Sequence, residues 1–460
     1  MPNTDFSALD LRPELRLSLN NMGYEQQTPI QQLSLPALLQ GKDVVAQAQT
    51  GSGKTAAYGI ALLNKLQEKT FTTQALVVCP TRELADQVAE EIRSIAKSIA
   101  NMRVVVLCGG KPLGPQLASL RRAPHVVVGT PGRLLKHLQK NTLTLSNIQT
   151  VVLDEADRML DMGFEEDVQS ILDFTPSHKQ VGLFSATYPA EIKTLSSRYQ
   201  VAPEFIQIAE STINKEIKQA FFEVELNQRV PALIKVLNHY QPESALVFCN
   251  TIIKCQELAD ELRHAKIHAT ALHGELEQFK RDQVLAQFSN KSSSVLVATD
   301  VAARGLDIKD LQLVVNYEIS RDPDTHVHRI GRTGRAGNHG AAVSLFSKGE
   351  WPRVEMLGNM TSTVVKDSDI SKLTRLSAKI DEPAMVTVFF SAGRKDKLRA
   401  GDILGVLTKQ LELPGDAIGK IDVLDKVTYV AIKRELAVPL FSDMSDVKIK
   451  GKTFRAKLLR

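Results

Sequence analysis

The feature that most restricts this chain is that its apolar runs occur twice in the same order. Ala75-Leu-Val-Val-Cys-Pro-Thr81 is echoed by Ala245-Leu-Val-Phe-Cys-Asn-Thr251, and Leu183-Phe-Ser185 by Leu345-Phe-Ser347. The runs at Val126 and Val295 keep matching places in the two series. Short apolar runs alternating with helical patterns mark a parallel-sheet α/β domain. The first series predicts strands at Val44–Ala48, Ala75–Cys79, Arg103–Leu107, Val126–Gly129, Val151–Leu153 and Val181–Phe184. The second predicts Phe221–Leu226, Ala245–Cys249, Ile267–Leu272, Val295–Ala298, Leu313–Asn316 and Ala342–Phe346. Leu84, Val88, Ile92 and Ile95 give one apolar helix face between the second and third strands. Two similar α/β lobes follow, over residues 1–208 and 209–370.

A polar, weakly periodic linker at 371–383 then leads to a small α+β domain at 384–460. Its pattern is Val386–Phe390, a helix near Ile403–Leu411, Gly419–Val423, Val427–Lys433, a short helix near Val438–Phe441 and Val447–Leu458. That order, βαββαβ, is the order of an RNA-recognition fold. A chain of 460 residues is too long for one core, which agrees with several domains. No apolar run reaches the roughly 18 residues of a membrane helix, and the N-terminus carries no secretory pattern. Cys79, Cys108, Cys249 and Cys255 have no metal-ligand spacing and read as reduced thiols of a cytoplasmic protein.

Two stretches carry chemistry. Ala48-Gln-Thr-Gly-Ser-Gly-Lys54-Thr55 follows a strand and opens a helix, as a phosphate-binding loop does. Glycines let backbone N–H groups crowd the phosphates, Lys54 reaches the β/γ oxygens and the Thr55 hydroxyl ligates Mg²⁺. Ala48 stands where the general pattern has glycine. In the second stretch the buried run Val151-Val152-Leu153 ends abruptly in Asp154, Glu155 and Asp157. Alone it reads equally as an acidic helix start. Beside a phosphate loop, Asp154 becomes the Mg²⁺-side carboxylate and Glu155 the residue that positions the attacking water. Lobe two has no such loop after its first strand, so one nucleotide site is expected.

Along residues 6–337 the chain resembles the DEAD-box RNA helicases. The motifs are Gly23-Tyr24, Thr28-Pro29-Ile30-Gln31, the phosphate loop, Pro80-Thr-Arg-Glu-Leu-Ala85, Gly109-Gly110, Thr130-Pro-Gly-Arg133, Asp154–Asp157 and Ser185-Ala-Thr187. Lobe two adds Gln278 with Arg281, Ala298-Thr-Asp-Val-Ala-Ala-Arg-Gly-Leu-Asp307 and His328-Arg-Ile-Gly-Arg-Thr-Gly-Arg335. The resemblance implies an RNA-stimulated ATP hydrolase using ATP and Mg²⁺. It implies that Gln31 reads the adenine edge and Phe6 stacks on the ring. Gln26, Ala48, Gln49, Thr50, Gly51, Ser52, Gly53, Gly305 and Asp307 complete the nucleotide set, with Asp307 near the ribose. Arg332 and Arg335 approach the γ-phosphate as fingers from lobe two. Ser185, Thr187, Asp157 and His328 couple hydrolysis to the RNA face, which Arg82, Gly110, Thr130, Arg133, Thr299 and Arg304 provide. Residue by residue, other readings stay open: a surface anchor for Phe6, a helix start for Gln31, a helix cap for Thr130 and a solvated basic loop for Arg332 and Arg335.

Residues 384–460 hold 15 Lys/Arg against 9 Asp/Glu, a net of +6, while the first 383 hold 42 against 43. This tail resembles the C-terminal RNA-binding domain of the DbpA group of bacterial DEAD-box proteins, which recognise a large-subunit ribosomal RNA hairpin. The aromatic stacking pattern of such folds is met only in Thr428-Tyr429-Val430-Ala431-Ile432. A basic surface from Lys395, Lys397, Arg399, Lys433, Arg434 and Lys452, with Lys450 and Arg455, is the alternative. The expected activity is remodelling of short duplexes, on 23S ribosomal RNA of precursor large (50S) subunits, with no DNA and no membrane as partner. A DNA translocase or a non-hydrolysing RNA clamp explains fewer of these residues.

Overall fold

The computed structural model describes residues 4–48, 51–208, 217–303, 311–320, 323–334, 340–360, 368–374, 380–441 and 445–459. They form two compact units, lobe one on its own and lobe two together with the tail.

Lobe one holds β1 (Val44–Gln47), β2 (Ala75–Val78), β3 (Val104–Leu107), β4 (Val126–Gly129), β5 (Thr150–Asp154), β6 (Gln180–Ser185) and β7 (Glu204–Gln207). They form one parallel sheet in the order β3-β4-β2-β5-β6-β1-β7. Alternation sends Val44, Ala46, Ala75, Val77 and Val152 to one core, with Leu35, Ile60 and Ile92 from the covering helices. Val45, Leu76, Val78, Val151 and Leu153 join the opposite core with Leu134, Val168 and Ile171. Burial on both faces is why these strands read as unbroken apolar runs. The register sets Gln47 beside Ser185 and Asp154 beside Phe184, so β1, β5 and β6 end together. Sequence reading missed β7, a four-residue edge strand in which only Ile206 is buried and Phe205 is exposed.

Lobe two holds β8 (Ile217–Glu223), β9 (Ala245–Cys249), β10 (Ala269–Leu272), β11 (Val295–Thr299), β12 (Leu313–Asn316) and β13 (Gly340–Phe346), parallel in the order β10-β11-β9-β12-β13-β8. The edge strand β8 begins four residues before the expected Phe221, because Lys218 and Gln219 pair along β13 despite their polarity. All four cysteines are free and buried. Among the described residues no helix is long and apolar enough to cross a membrane.

The tail is βαββαββ: β14 (Met385–Phe390), β15 (Ile418–Val423), β16 (Thr428–Lys433), β17 (Ser445–Ile449) and β18 (Lys452–Leu458), antiparallel in the order β15-β16-β14-β18-β17. The expected final strand Val447–Leu458 is a hairpin. Lys450 (φ +50°) and Gly451 (φ +79°) reverse the chain in a two-residue turn with both φ positive. One sheet face buries Val386, Val388, Phe390, Val430 and Ile432 against the helices Ala400–Lys409 and Arg434–Phe441.

The other face corrects the stacking pattern read from Tyr429. It packs on the lobe-two helix Gln278–Ser289, where Asn290 Nδ2 donates to Thr387 Oγ1 (3.2 Å) and the Ser292 and Thr387 hydroxyls lie 2.6 Å apart. Tyr429 is 1% exposed, and among the described residues its buried hydroxyl has no hydrogen-bond partner. Burial and the charge of Asp282 raise its pKa. Lys420 Nζ reaches Ser289 Oγ across the same seam (3.0 Å). Tyr429 is therefore a seam residue, closed to a stacked base.

Candidate nucleotide site and RNA surfaces

Strand β1 delivers the chain into the phosphate loop, with the Ala48 N–H held by the Ser185 carbonyl (3.0 Å). Gln49 and Thr50 lie outside the described residues. Gly51 and Gly53 have φ of +84° and +95°. A Cβ on Gly53 would stand 2.7 Å from Gln31 Nε2 and 2.9 Å from Thr28 Oγ1, so conformation and space both demand glycine there. The helix Lys54–Lys65 starts at this point, aiming its first N–H groups and its positive pole at the loop. Lys54 is buried, and its ammonium donates to the Ala48 carbonyl at 2.5 Å. Burial lowers its pKa while Asp154, Glu155 and Asp157 pull it back up.

Asp154 closes β5, and both of its carboxylate oxygens are occupied. Tyr58 Oη donates to Oδ2 (2.7 Å) and the Glu155 N–H donates to Oδ1 (3.0 Å). Burial pushes the Asp154 carboxyl up to about 6, with Lys54 opposing. Glu155 turns the chain with φ +50°, a left-handed conformation uncommon outside glycine, and strain of this kind gathers at functional sites. Arg158, one helical turn on, donates from Nη1 to Glu155 Oε2 (2.5 Å). Asp157 Oδ2 accepts from the Thr187 hydroxyl (3.0 Å) and from the Ala186 and Thr187 N–H groups (3.2 and 3.0 Å). The Asp157 N–H reaches Ser185 Oγ at 3.3 Å. One carboxylate thus ties the end of β5 to the end of β6, joining three of the expected coupling residues.

Gln31 bridges two parts of the site. Its Oε1 accepts from the Thr28 N–H (2.9 Å) at the start of the helix Pro29–Leu39, and its Nε2 donates to the Gly53 carbonyl (3.2 Å). Phe6 is buried edge-on against Tyr24, 5.7 Å between centroids, and the exposed Gln26 pairs with Asp5. The donor set fits Mg²⁺. Asp154 offers one carboxylate and Thr55 a half-buried hydroxyl, and among the described residues no cluster of three His, Cys, Asp or Glu forms a metal cage. That is the sparse protein ligation Mg²⁺ takes beside phosphates and water.

The expected RNA residues of lobe one converge. The Arg82 guanidinium lies over Gly110, where an added Cβ would strike it, and Gly110 has φ +72°. Arg133 Nη1 donates to the Lys111 carbonyl (3.0 Å), and Thr130 caps the helix Pro131–Gln139. In lobe two Thr299 ends β11, His328 lies in the helix Pro323–Ile330 and Arg332 is buried just beyond it. Arg304, Gly305, Asp307 and Arg335 fall outside the described residues. The tail's basic set splits. Lys397 and Arg399 line a groove of about 750 Å³ with Arg394, Leu398 and Asp422. Lys433 pairs with Asp416 (2.7 Å), Lys395 with Asp425 (3.5 Å), and Arg434 Nε donates to the Pro383 carbonyl (2.7 Å). Lys452 is exposed.

Sequence reading missed Tyr58, Arg158, Arg394 and Arg329. Arg158 stands three residues after Glu155, a helical spacing that could have found it. Tyr58 lies in a helix buried almost all round and reads as core. Arg329, 1% exposed, spends all five of its N–H donors: on Asp300 (2.6 and 2.7 Å), Asn316, the Glu318 carbonyl and Asn250.

Comparison with known proteins agrees with this geometry. Residues 28–195 match the DEAD/DEAH box helicase family, 228–337 the helicase conserved C-terminal domain and 387–458 the DbpA RNA binding domain. The chain is 47% identical to the ATP-dependent RNA helicase DbpA of Escherichia coli (strain K12), over 99% of this chain and 100% of that one. It is 42% identical to the DEAD-box ATP-dependent RNA helicase CshA of Bacillus subtilis (strain 168), over 83% of this chain and 77% of that one. S. cerevisiae Dbp5 bound to RNA and ADP BeF3 superposes with a TM-score of 0.73 at 28% identity, covering 80% of this chain and 96% of that one. The phosphate loop, the Asp154–Glu155 strand end and the RNA-binding tail together place the chain among the DEAD-box ATP-dependent RNA helicases, of the DbpA type.

Proposed function

We propose that this helicase remodels short duplexes of 23S ribosomal RNA in precursor large (50S) subunits in the cytoplasm, with its tail holding a ribosomal hairpin. The observation that carries the reading is the charge split. A core of net −1 that touches backbone binds RNA without preference, while the +6 tail matches the DbpA RNA binding domain and offers a basic groove at Arg394, Lys397 and Arg399.

In this reading Lys54 and the Gly51–Gly53 N–H groups hold the phosphates of ATP. Asp154 and Thr55 hold Mg²⁺, which when bound neutralises charge on the phosphates. Gln31 gives up its bond to Gly53 for the adenine edge. Glu155 accepts a hydrogen bond from the attacking water, and Arg332 and Arg335 supply positive charge as the γ-phosphoryl leaves. Asp157 passes the change to Ser185 and Thr187, which share its hydrogen bonds. Gly110, Arg82, Thr130 and Arg133 hold RNA backbone. ATPase activity measured over fragments spanning both ribosomal RNAs tests the substrate. One large-subunit hairpin region should stimulate at the lowest concentration, and equal stimulation by small-subunit fragments contradicts it.

A further inference from the structure

The seam between lobe two and the tail leaves one aromatic pair open to solvent. Phe279, in the first turn of the helix Gln278–Ser289, is 45% exposed, and its ring meets Phe389 edge-on at 6.1 Å. Phe389 is half-buried, and Lys457 lies 5.8 Å above its ring. Cross-strand register puts Lys457 beside Phe389 and Asp446 beside Arg455. Alternation therefore gathers Phe389, Lys457, Arg455, Asp446 and Lys448 on one sheet face.

The tail's cations fall into a paired and an unpaired set. Lys395, Lys420, Lys433 and Lys450 are paired with Asp425, Asp422, Asp416 and Asp402. Among the described residues, Lys448, Arg455, Lys457 and the neighbouring Lys280 have no ion pair, and all four are exposed. Asp446 is the carboxylate nearest in register and leaves Arg455 unpaired. Exposed aromatic rings rimmed by unpaired cations are what single-stranded nucleic acid selects: bases stack on the rings and phosphates meet the cations. A protein partner of that apolar size would ask for fewer free cations at its centre.

We propose that Phe279 and Phe389 form a composite stacking site for an unpaired base of an RNA single strand, its phosphates resting on Lys457 and Arg455. The site shares no residue with the groove at Lys397 and Arg399 and exists only while the tail sits on lobe two. This rests on the reading of the tail as a hairpin anchor, and it deepens that reading by giving the strand beside the hairpin a place on the protein.

The test uses the full chain and three RNA probes in fluorescence anisotropy. They are a large-subunit ribosomal hairpin, the hairpin with a single-stranded extension of about eight nucleotides, and the same extension with abasic residues. The base-bearing extension should tighten binding on the order of tenfold over the abasic one. Phe279→Leu and Phe389→Leu, which keep apolar contact and remove the ring, should each erase that gain and leave the bare hairpin unchanged. Lys457→Gln should weaken both extended probes alike. An equal gain in wild type and Phe279→Leu overturns the proposal, as does an equal affinity for base-bearing and abasic extensions. If Phe389→Leu lowers the melting temperature, Phe279→Leu decides alone, since its ring is half in solvent. A bare hairpin bound no better than scrambled RNA removes the anchor reading instead. The base-bearing and abasic single strands, tested without the hairpin, then decide the stacking site.

Discussion

Arg158 holds Glu155 in a buried ion pair, Nη1 to Oε2 at 2.5 Å, with side-chain exposures of 3% and 6%. The carboxylate read as the water positioner is thus fixed before any nucleotide is considered, in a backbone turn that is itself left-handed at φ +50°. Preorganisation of this kind removes reorganisation from the reaction step. In the proposed reading ATP and Mg²⁺ depend on Lys54, Thr55 and Asp154, so Glu155→Gln should slow hydrolysis by at least about a hundredfold and leave ATP and RNA bound together. Single-turnover hydrolysis alongside RNA retention measures this. Turnover within a few-fold of wild type removes Glu155 from the chemistry.

The pair also predicts a stability pattern. Removing one partner of a buried ion pair strands the other and costs about 3–5 kcal/mol. Arg158→Met should lower the melting temperature of lobe one, and adding Glu155→Gln should recover part of the loss. Additive losses in the double variant would show that the two side chains do not act as a pair.

Arg329 should matter by the same physics in lobe two. Its five donors bind the end of β11 through Asp300 to Asn250 and Asn316 on neighbouring strand ends. Arg329→Met leaves Asp300, the buried Asn316 amide and the half-buried Asn250 amide without their donor, and should cost roughly 3–5 kcal/mol in denaturant unfolding. A loss below about 1 kcal/mol, the scale of an exposed pair, contradicts this.

The strands were legible because sheets buried on both faces spell themselves as apolar runs, and Asp154, Glu155 and the phosphate loop because chemistry concentrates at strand ends. β7 was not legible, since a short edge strand needs one buried side chain and Ile206 alone supplies it. The turn at Lys450-Gly451 lacks the Asn-Gly or Asp-Gly signal that would have divided the last strand of the tail. Tyr58 meets Asp154 across 96 residues of sequence, and Thr387 meets Asn290 across 97. Such contacts follow from packing, and no local spacing announces them. For the same reason Tyr429 kept the pattern of a stacking residue in the sequence although lobe two covers it.

His326 gives lobe two a pH dependence. It is fully buried against Phe221, and among the described residues its Nε2 has no hydrogen-bond partner. Burial, then the charge of Arg329, pushes its pKa from 6.5 down to about 3. The unfolded chain takes up this proton near pH 6.5 and the folded chain only near pH 3. Stability is therefore complete above pH 6.5 and is lost as pH falls between the two, by about 2 kcal/mol at about pH 5. Denaturant unfolding across that window should show the slope in wild type, flattened in His326→Gln. An unchanged slope assigns the titration to another group.

The proposed division of labour between an indifferent core and a selecting tail is tested most directly by the RNA concentration that gives half-maximal ATPase. An RNA held by the tail meets the core at roughly millimolar effective concentration, so the hairpin RNA should act at far lower concentration than scrambled RNA. The comparison is wild type against the double variant Lys397→Glu, Arg399→Glu, whose groove carries the opposite charge. The predicted result is a preference for hairpin RNA in wild type that collapses in the variant, with the maximal rate at saturating RNA retained. A variant that keeps the full preference would place selection in the two lobes and contradict the account.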